Sequence, residues 1–380
     1  MHRVLDTLLG IDWLLFGAVI VLSGLGLLNL AGVPQYSDLL AKQAMFLVAG
    51  VVVFFAASTI DYRSLRSSTA LVWSLWGIGV ALLGGVALFG TSIRGAANWI
   101  LLGPISIDPI EVVKIGSLLV LASYFSKSHT GLVFLPRVLL SGAIIGIPVA
   151  FALLQPDLGS AVVLAGLWFW MVVLLRVPFR TIMLLVVLAV LVAGVGWNSV
   201  LHDYQKDRLV AFIDPNADPL GAAYQTQQAL VAVGSGGVFG QGFFAENLSA
   251  RLNLLPESAS DFAFASLMEQ GGLVIGLFIL ALLSLVLIRV ARVAHMATNN
   301  FSAIYAMGLA VLLSIGITLH IGMNIGLLPV TGLPLPFISY GGSHTLVMFA
   351  MLGLLQSIRM NQPQLQQEEI EPMSELSSFL

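Results

Sequence analysis

Leu327-Leu328-Pro329-Val330-Thr331-Gly332-Leu333-Pro334-Leu335-Pro336-Phe337-Ile338-Ser339-Tyr340-Gly341-Gly342-Ser343 lies between two of the longest apolar runs of a 380-residue chain and cannot continue either as a helix. Each of Pro329, Pro334 and Pro336 removes a backbone donor and pushes the residue before it out of the α region. In hydrocarbon every unpaired backbone group costs several kcal/mol, so irregular backbone beside membrane helices survives only where it lines a protein cavity or a watery entrance. The stretch therefore marks a site as well as a break.

Composition fixes the solvent of the flanking runs. Hydrophobic residues make up 58% of the chain and charged residues 9%, against about 45–50% and about 25% in soluble domains. The chain reads as an all-α polytopic membrane protein. At about 20 apolar residues per crossing it has room for roughly ten transmembrane helices and no separate soluble domain. The runs place spans near residues 11–31, 43–59, 70–90, 108–126, 137–154, 158–175, 180–199, 262–288, 301–325 and 343–358, with a tight helical hairpin at Gln155-Pro156-Asp157. Residues 1–360 are expected to form a single transmembrane domain, and the Gln- and Glu-rich tail 361–380 a disordered cytoplasmic extension.

An even number of spans puts both termini on one side. Ten of the sixteen bases, Arg3, Arg63, Arg66, Lys127, Arg137, Arg176, Arg180, Arg289, Arg292 and Arg359, fall there, so the positive-inside rule predicts cytoplasmic termini. Lys42, Arg94, Lys114, Lys206, Arg208 and Arg251 fall on the far side or within a span, where orientation does not account for them. The N-terminal run has no A-x-A-like cleavage site and reads as a retained first helix. The absence of cysteine is compatible with an oxidising exterior and decides nothing further.

One connection, residues 198–261, is far longer than the others and is predicted to lie outside the cytoplasm. It carries three bases (Lys206, Arg208, Arg251) and seven acids (Asp203, Asp207, Asp214, Asp218, Glu246, Glu257, Asp261), and long loops of this kind are functional or disordered. Its apolar content argues against disorder. Residues 222–233 read as a short helix with Tyr224, Gln225 and Gln228 on one face, followed by the glycine run Gly234-Ser235-Gly236-Gly237-Val238-Phe239-Gly240-Gln241-Gly242. A phosphate-loop reading of that run fails, because it has no Gly-Lys-Ser/Thr ending and no preceding strand. A hinge between loop helices is the plain reading, and a close approach of backbone to substrate the alternative.

The ordered motifs of this chain resemble the RodA/FtsW (SEDS) family of peptidoglycan glycosyltransferases. The 327–343 stretch carries most of the likeness. Asp203-Tyr204-Gln205-Lys206-Asp207-Arg208 with Phe212-Ile213-Asp214-Pro215, Gln155-Pro156-Asp157-Leu158-Gly159, Pro109-Ile110-Glu111-Val112-Val113-Lys114, Gly234-Ser235-Gly236-Gly237 and Leu255-Pro256-Glu257 leading to Asp261-Phe262 support it in the family's order. The resemblance implies polymerisation of lipid II, an undecaprenyl pyrophosphate-linked disaccharide pentapeptide, at the outer face of a bacterial inner membrane. It also implies a class B penicillin-binding protein as partner, and the short termini point to the elongation rather than the division member of the family.

The resemblance maps the family's essential acid onto Asp261. A carboxylate within reach of an attacking sugar hydroxyl can take its proton, whereas the plain alternative is that Ser260 or Asp261 only caps the following helix. The departing pyrophosphate needs positive charge, for which Lys114, Arg208 and Arg94 are candidates. Lys114 and Glu111 are spaced as an i, i+3 pair, and ionisable groups within a span face cavities far more often than lipid. Arg208 could instead anchor the loop at the headgroups. Asp157, Gln225, Gln228, Thr331, Ser339 and Tyr340 complete the expected substrate-binding set. The proline-rich stretch itself has no acid or base.

Several positions depart from the family pattern: Asn98 before Trp99 in place of Arg, His320 in place of Asn, Gln241 in place of Lys, Ser258-Ala259-Ser260 before the acid, and Gln270-Gly271. His320 can hydrogen-bond as an amide does. No cofactor and no protein-held metal cage is expected, which leaves room for a divalent cation carried on the substrate's pyrophosphate. A transporter of lipid-linked precursor is the competing class, since transporters also use broken helices and intramembrane charge pairs. The absence of an internal repeat and the concentration of polar groups on one face count against it.

Overall fold

The computed structural model describes residues 10–89, 100–102, 105–127, 135–175, 177–199, 201, 203–214 and 222–362. Ten of its helices have 17 or more residues and stand where the apolar runs predict spans: α1 (Trp13–Ala31), α2 (Ser37–Thr59), α4 (Thr69–Phe89), α5 (Pro109–Ser126), α6 (Leu135–Leu154), α7 (Leu158–Leu174), α8 (Phe179–Ser199), α11 (Ala263–His295), α12 (Asn300–Asn324) and α13 (Gly342–Met360). The short helices are α3 (Tyr62–Ser67), α9 (Asp203–Ile213) and α10 (Ala222–Ser235). Eight segments are long and apolar enough to cross a membrane, and α7 is a shorter apolar helix.

The tenth long helix, α13, is less apolar because it is an interior helix. His344, Thr345, Gln356, Ser357 and Arg359 are all buried on it, and it packs chiefly along α2. At one end of the bundle its polar residues close a network: Gln356 Oε1 accepts from Asp12 N at 3.0 Å, and Asp12 pairs with Arg289 of α11 at 2.6 Å. Helix α5 is the other interior element, packed against α4, α12, α13, α6 and α7, whereas α8 is almost wholly exposed along its length.

Three features were not legible as elements in the sequence. An antiparallel hairpin, β1 (Ile100–Leu102) with β2 (Ile105–Ile107), pairs Ile100 with Ile107 and feeds the chain into the start of α5. Helix α9 forms in the long connection ahead of the expected α10. Helix α11 is broken at Gly272, whose φ of 68° and ψ of −165° no helix contains.

The break explains the glycine run, which is not a hinge as its composition suggests. Leu273 N and Val274 N donate to Gly237 O (2.9 Å) and Val238 O (3.2 Å), while Gln241 N and Gly242 N donate to Glu269 O and Gln270 O (both 2.9 Å). The run is a strap laid across the break, and it satisfies backbone groups that the broken helix leaves open. A Cβ at Gly272 would stand 2.4 Å from both Gly240 N and Val238 O, so the crossing requires glycine.

Candidate functional site

The site gathers at the end of the bundle opposite the Asp12–Arg289 pair. Five segments meet there: the start of α5, the α6–α7 corner, α9, the turn before α11, and the 325–341 loop. That loop contains no helix or strand, and α13 begins at Gly342, two residues inside the stretch read as irregular.

The turn before α11 holds Asp261. Its backbone is built on Glu257, which adopts φ 53° and whose carbonyl accepts from Ser260 N and Phe262 N, both at 3.1 Å. Asp261 does not cap the helix: the N-cap position is Phe262, and no side chain of the turn fills it. Asn324, at the end of α12, does the work instead. Its Oδ1 accepts from Ala265 N at 2.9 Å and its Nδ2 donates to the Asp261 carbonyl at 2.9 Å and the His320 carbonyl at 2.8 Å. The Asp261 carboxyl is thereby released from the capping role. Burial pushes it up to about 6, with the neighbouring Glu257 charge adding to the rise and Ser260 and Arg208 opposing it.

The proline-rich loop is fastened to this turn. Ser339 Oγ donates to Ser260 O at 2.6 Å and accepts from Leu335 N at 2.9 Å. Tyr340 N donates to Ala259 O at 2.9 Å. Gly332, with φ 71°, passes so close that a Cβ there would sit 3.6 Å from Asp261 Oδ2. Thr331 reaches Met323 Sδ at 3.6 Å, and its carbonyl would be only 2.4 Å from a Cβ on Gly159. His320 fixes the other arm of the loop. Its Nδ1 lies 2.7 Å from Leu333 O and, facing a carbonyl, must carry the proton.

Opposite the loop, Lys114 Nζ lies 2.7 Å from Glu111 Oε1 within α5, the pair that the spacing predicts. Lys114 is only 3% exposed, so the pair is buried inside the bundle. Asp108 caps α5 through Ile110 N at 3.1 Å, and its own N donates to Ser343 Oγ at 3.0 Å. Burial, with Glu111 and Asp157 adding and Lys114 opposing, pushes the Asp108 carboxyl up to about 7. Asp108 and Asn324 are not among the residues that the sequence motifs point to. The Asp-Pro step at a helix start signals the first as a cap, whereas nothing local signals the second.

Asp157 Oδ1 caps α7 at Ser160 N, 2.9 Å away. The preceding Pro156 carbonyl accepts from Tyr204 Oη at 2.6 Å and Gln205 Nε2 at 3.1 Å, which docks α9 on the α6–α7 corner. Arg208 on α9 lies over the Tyr204 ring, 5.7 Å from its centroid, half-exposed, and its charge reaches Asp261. Among the described residues, Arg208 is therefore an accessible cation whose charge reaches the carboxyl. Gln225 and Gln228 lie half-buried on α10, which packs on α11 and α12. Arg251, unexplained by orientation, donates from Nε to Gly32 O at 2.6 Å and ties the connection to the end of α1. Arg94, Asn98 and Trp99 lie outside the described residues. Gln270 donates to Asn29 Oδ1 at 2.7 Å in a buried polar cluster with Ser266. Among the described residues no group of three or more His, Asp or Glu is placed to hold a metal ion.

Residues 3–364 match the FTSW_RODA_SPOVE family, described as cell cycle proteins. The chain is 33% identical over 354 residues, 90% of each sequence, to the peptidoglycan glycosyltransferase MrdB of Escherichia coli K12. It is also 33% identical over 315 residues, 80% of this chain and 78% of the relative, to the probable peptidoglycan glycosyltransferase FtsW of Thiomicrospira cyclica. Among solved structures, a chain of a peptidoglycan synthase complex that coordinates polymerization and crosslinking superposes with TM-score 0.78 at 30% identity, covering 93% of this chain and 98% of that one. The rod shape determining protein RodA of Thermus thermophilus superposes with TM-score 0.69 at 27% identity and the same coverage, 93% and 98%.

Proposed function

The chain belongs to the FtsW/RodA/SpoVE family, and from that membership we propose that it polymerises lipid II with Asp261 as the base. It is a peptidoglycan glycosyltransferase and a multi-span membrane protein, as its relatives' names and its apolar helices indicate. In the proposed reaction Asp261 takes the proton from a sugar hydroxyl as its oxygen attacks the anomeric carbon of the donor. The bond from that carbon to the undecaprenyl pyrophosphate breaks as the new glycosidic bond forms. The half-exposed Arg208 and the buried Lys114 stabilise the negative charge that collects on the departing pyrophosphate.

The observation that carries this reading is the freed Asp261 carboxyl. Asn324 does the capping that Asp261 would otherwise do, and burial leaves Asp261 titrating at about 6, ionised at neutral pH yet more basic than an ordinary carboxylate. Asp157, Gln225, Gln228, Thr331, Ser339 and Tyr340 are proposed to shape the donor and acceptor subsites.

The bases at the opposite end, among them Arg63, Arg66, Lys127, Arg292 and Arg359, favour a cytoplasmic placement of that end and of both termini. The site then faces the outside of the inner membrane. A class B penicillin-binding protein is the proposed partner, supplying the crosslinking activity. Purified chain with such a partner and labelled lipid II should yield glycan polymer, and Asp261→Asn should yield none. Undiminished polymer from that variant would sink the assignment of the base.

A further inference from the structure

We propose that His344 is a positioning residue for the glycosyl transfer, holding the Glu111 carboxylate in place from the start of α13 so that Lys114 keeps its aim from α5. The inference rests on the glycosyltransferase reading. His344 is 7% exposed, and its Nδ1 lies 3.2 Å from Glu111 Oε1, the same oxygen that Lys114 Nζ holds at 2.7 Å. The contact is short in distance but off the hydrogen-bond angle. Glu111 Oε2 and both His344 ring nitrogens are buried without a hydrogen-bond partner. Leaving such groups unpaired is costly, and a small turn of the ring makes an N–H···O bond to the carboxylate.

The placement gives that bond a purpose. Lys114 and Glu111 sit on one helix, where their pairing fixes neither of them relative to the loop. His344 belongs to the helix that follows the proline-rich loop directly, and the next residue, Thr345, accepts from Gln43 Nε2 at 3.1 Å. His320 anchors the loop's other arm at Leu333. One histidine thus ties the loop to α12, and the other ties the loop's exit to the ion pair.

The test compares His344→Leu, which keeps much of the volume and loses the donor, with His344→Asn, whose amide replaces Nδ1–H. Lipid II polymerisation should show kcat lowered about tenfold or more in the Leu variant, with KM little changed, and restored by the Asn variant to within about threefold. An active Leu variant, or an Asn variant no better than Leu, overturns the proposal. A cycle of melting temperatures for His344→Leu, Glu111→Gln and both together gives an independent readout: coupling between the two supports the contact, and simple additivity overturns it. A wild-type chain that makes no polymer counts against the glycosyltransferase reading, and the melting cycle then decides the contact by itself.

Discussion

Replacing Asp261 by Asn should stabilise the protein while abolishing its activity, because the site holds a charge that its surroundings resist. In the unfolded chain the carboxyl ionises near 3.8, and in the folded protein at about 6. That rise corresponds to at most about 3 kcal/mol held against the folded state when the group is ionised. Asp261 is partly open to solvent, so screening reduces the figure, and about 1–3 kcal/mol is the working range. The sign follows from proton binding. Above pH 6 both states are ionised and the full cost is present. Between pH 6 and 3.8 the folded state is protonated while the unfolded state is not, so wild type regains stability as pH falls.

Asn carries no charge at any pH and never bears the cost. The variant should therefore melt a few degrees higher than wild type at pH 7.5, and the gap should close as pH is lowered to about 4. Thermal unfolding of detergent-solubilised protein at several pH values measures this directly. A variant that melts at or below the wild-type temperature at pH 7.5 would refute the argument, as would a gap that does not change with pH. Either result would mean that the Asp261 carboxyl is already satisfied in the folded protein and is not poised as a base.

Polymerisation by wild type should fall along a single acid limb centred at about pH 6, losing about tenfold per unit well below it. Glu257→Gln removes the neighbouring charge that raises Asp261, so the limb should move to lower pH, and an unmoved pH–rate profile would contradict that coupling. Asn324→Leu removes the acceptor for Ala265 N and the donor to the Asp261 carbonyl. It should cost about 2–4 kcal/mol of stability, seen as lower detergent-melt temperature, together with a loss of kcat larger than any change in KM. Breaking the buried pair with Lys114→Met alone should destabilise by about 3–5 kcal/mol, whereas Glu111→Leu with Lys114→Met should recover much of the stability and none of the activity; melting and polymer yield on the same preparations separate the two.

Much of the fold was legible because the bilayer leaves few options. Ten apolar runs became ten long helices, and the corner at Gln155-Pro156-Asp157 became the α6–α7 turn with Asp157 as its cap. Helix α10 and the Glu111–Lys114 pair also follow from spacing alone. Helix α9 was missed because its sequence is mostly polar and its docking depends on a carbonyl of the distant Pro156. By composition the strap reads as a hinge, because glycine signals permissive backbone, and only the broken α11 shows what the permission is for.

Within the site, sequence named the carboxyl but could not decide whether Asp261 caps a helix or stands free. Capping is a competition for particular amides, and Asn324, 63 residues away, wins it. The same holds for Asp108, His320 and His344, whose types are plain in the sequence and whose partners belong to other helices. Apolar periods and prolines acted locally, through solvent and backbone sterics, and by themselves determined a helical membrane protein with an irregular loop at a site. Which oxygen stays unsatisfied, which cation is exposed and which carboxyl resists its charge were decided only by tertiary structure, because desolvation and hydrogen bonding depend on atoms that the chain brings from far away.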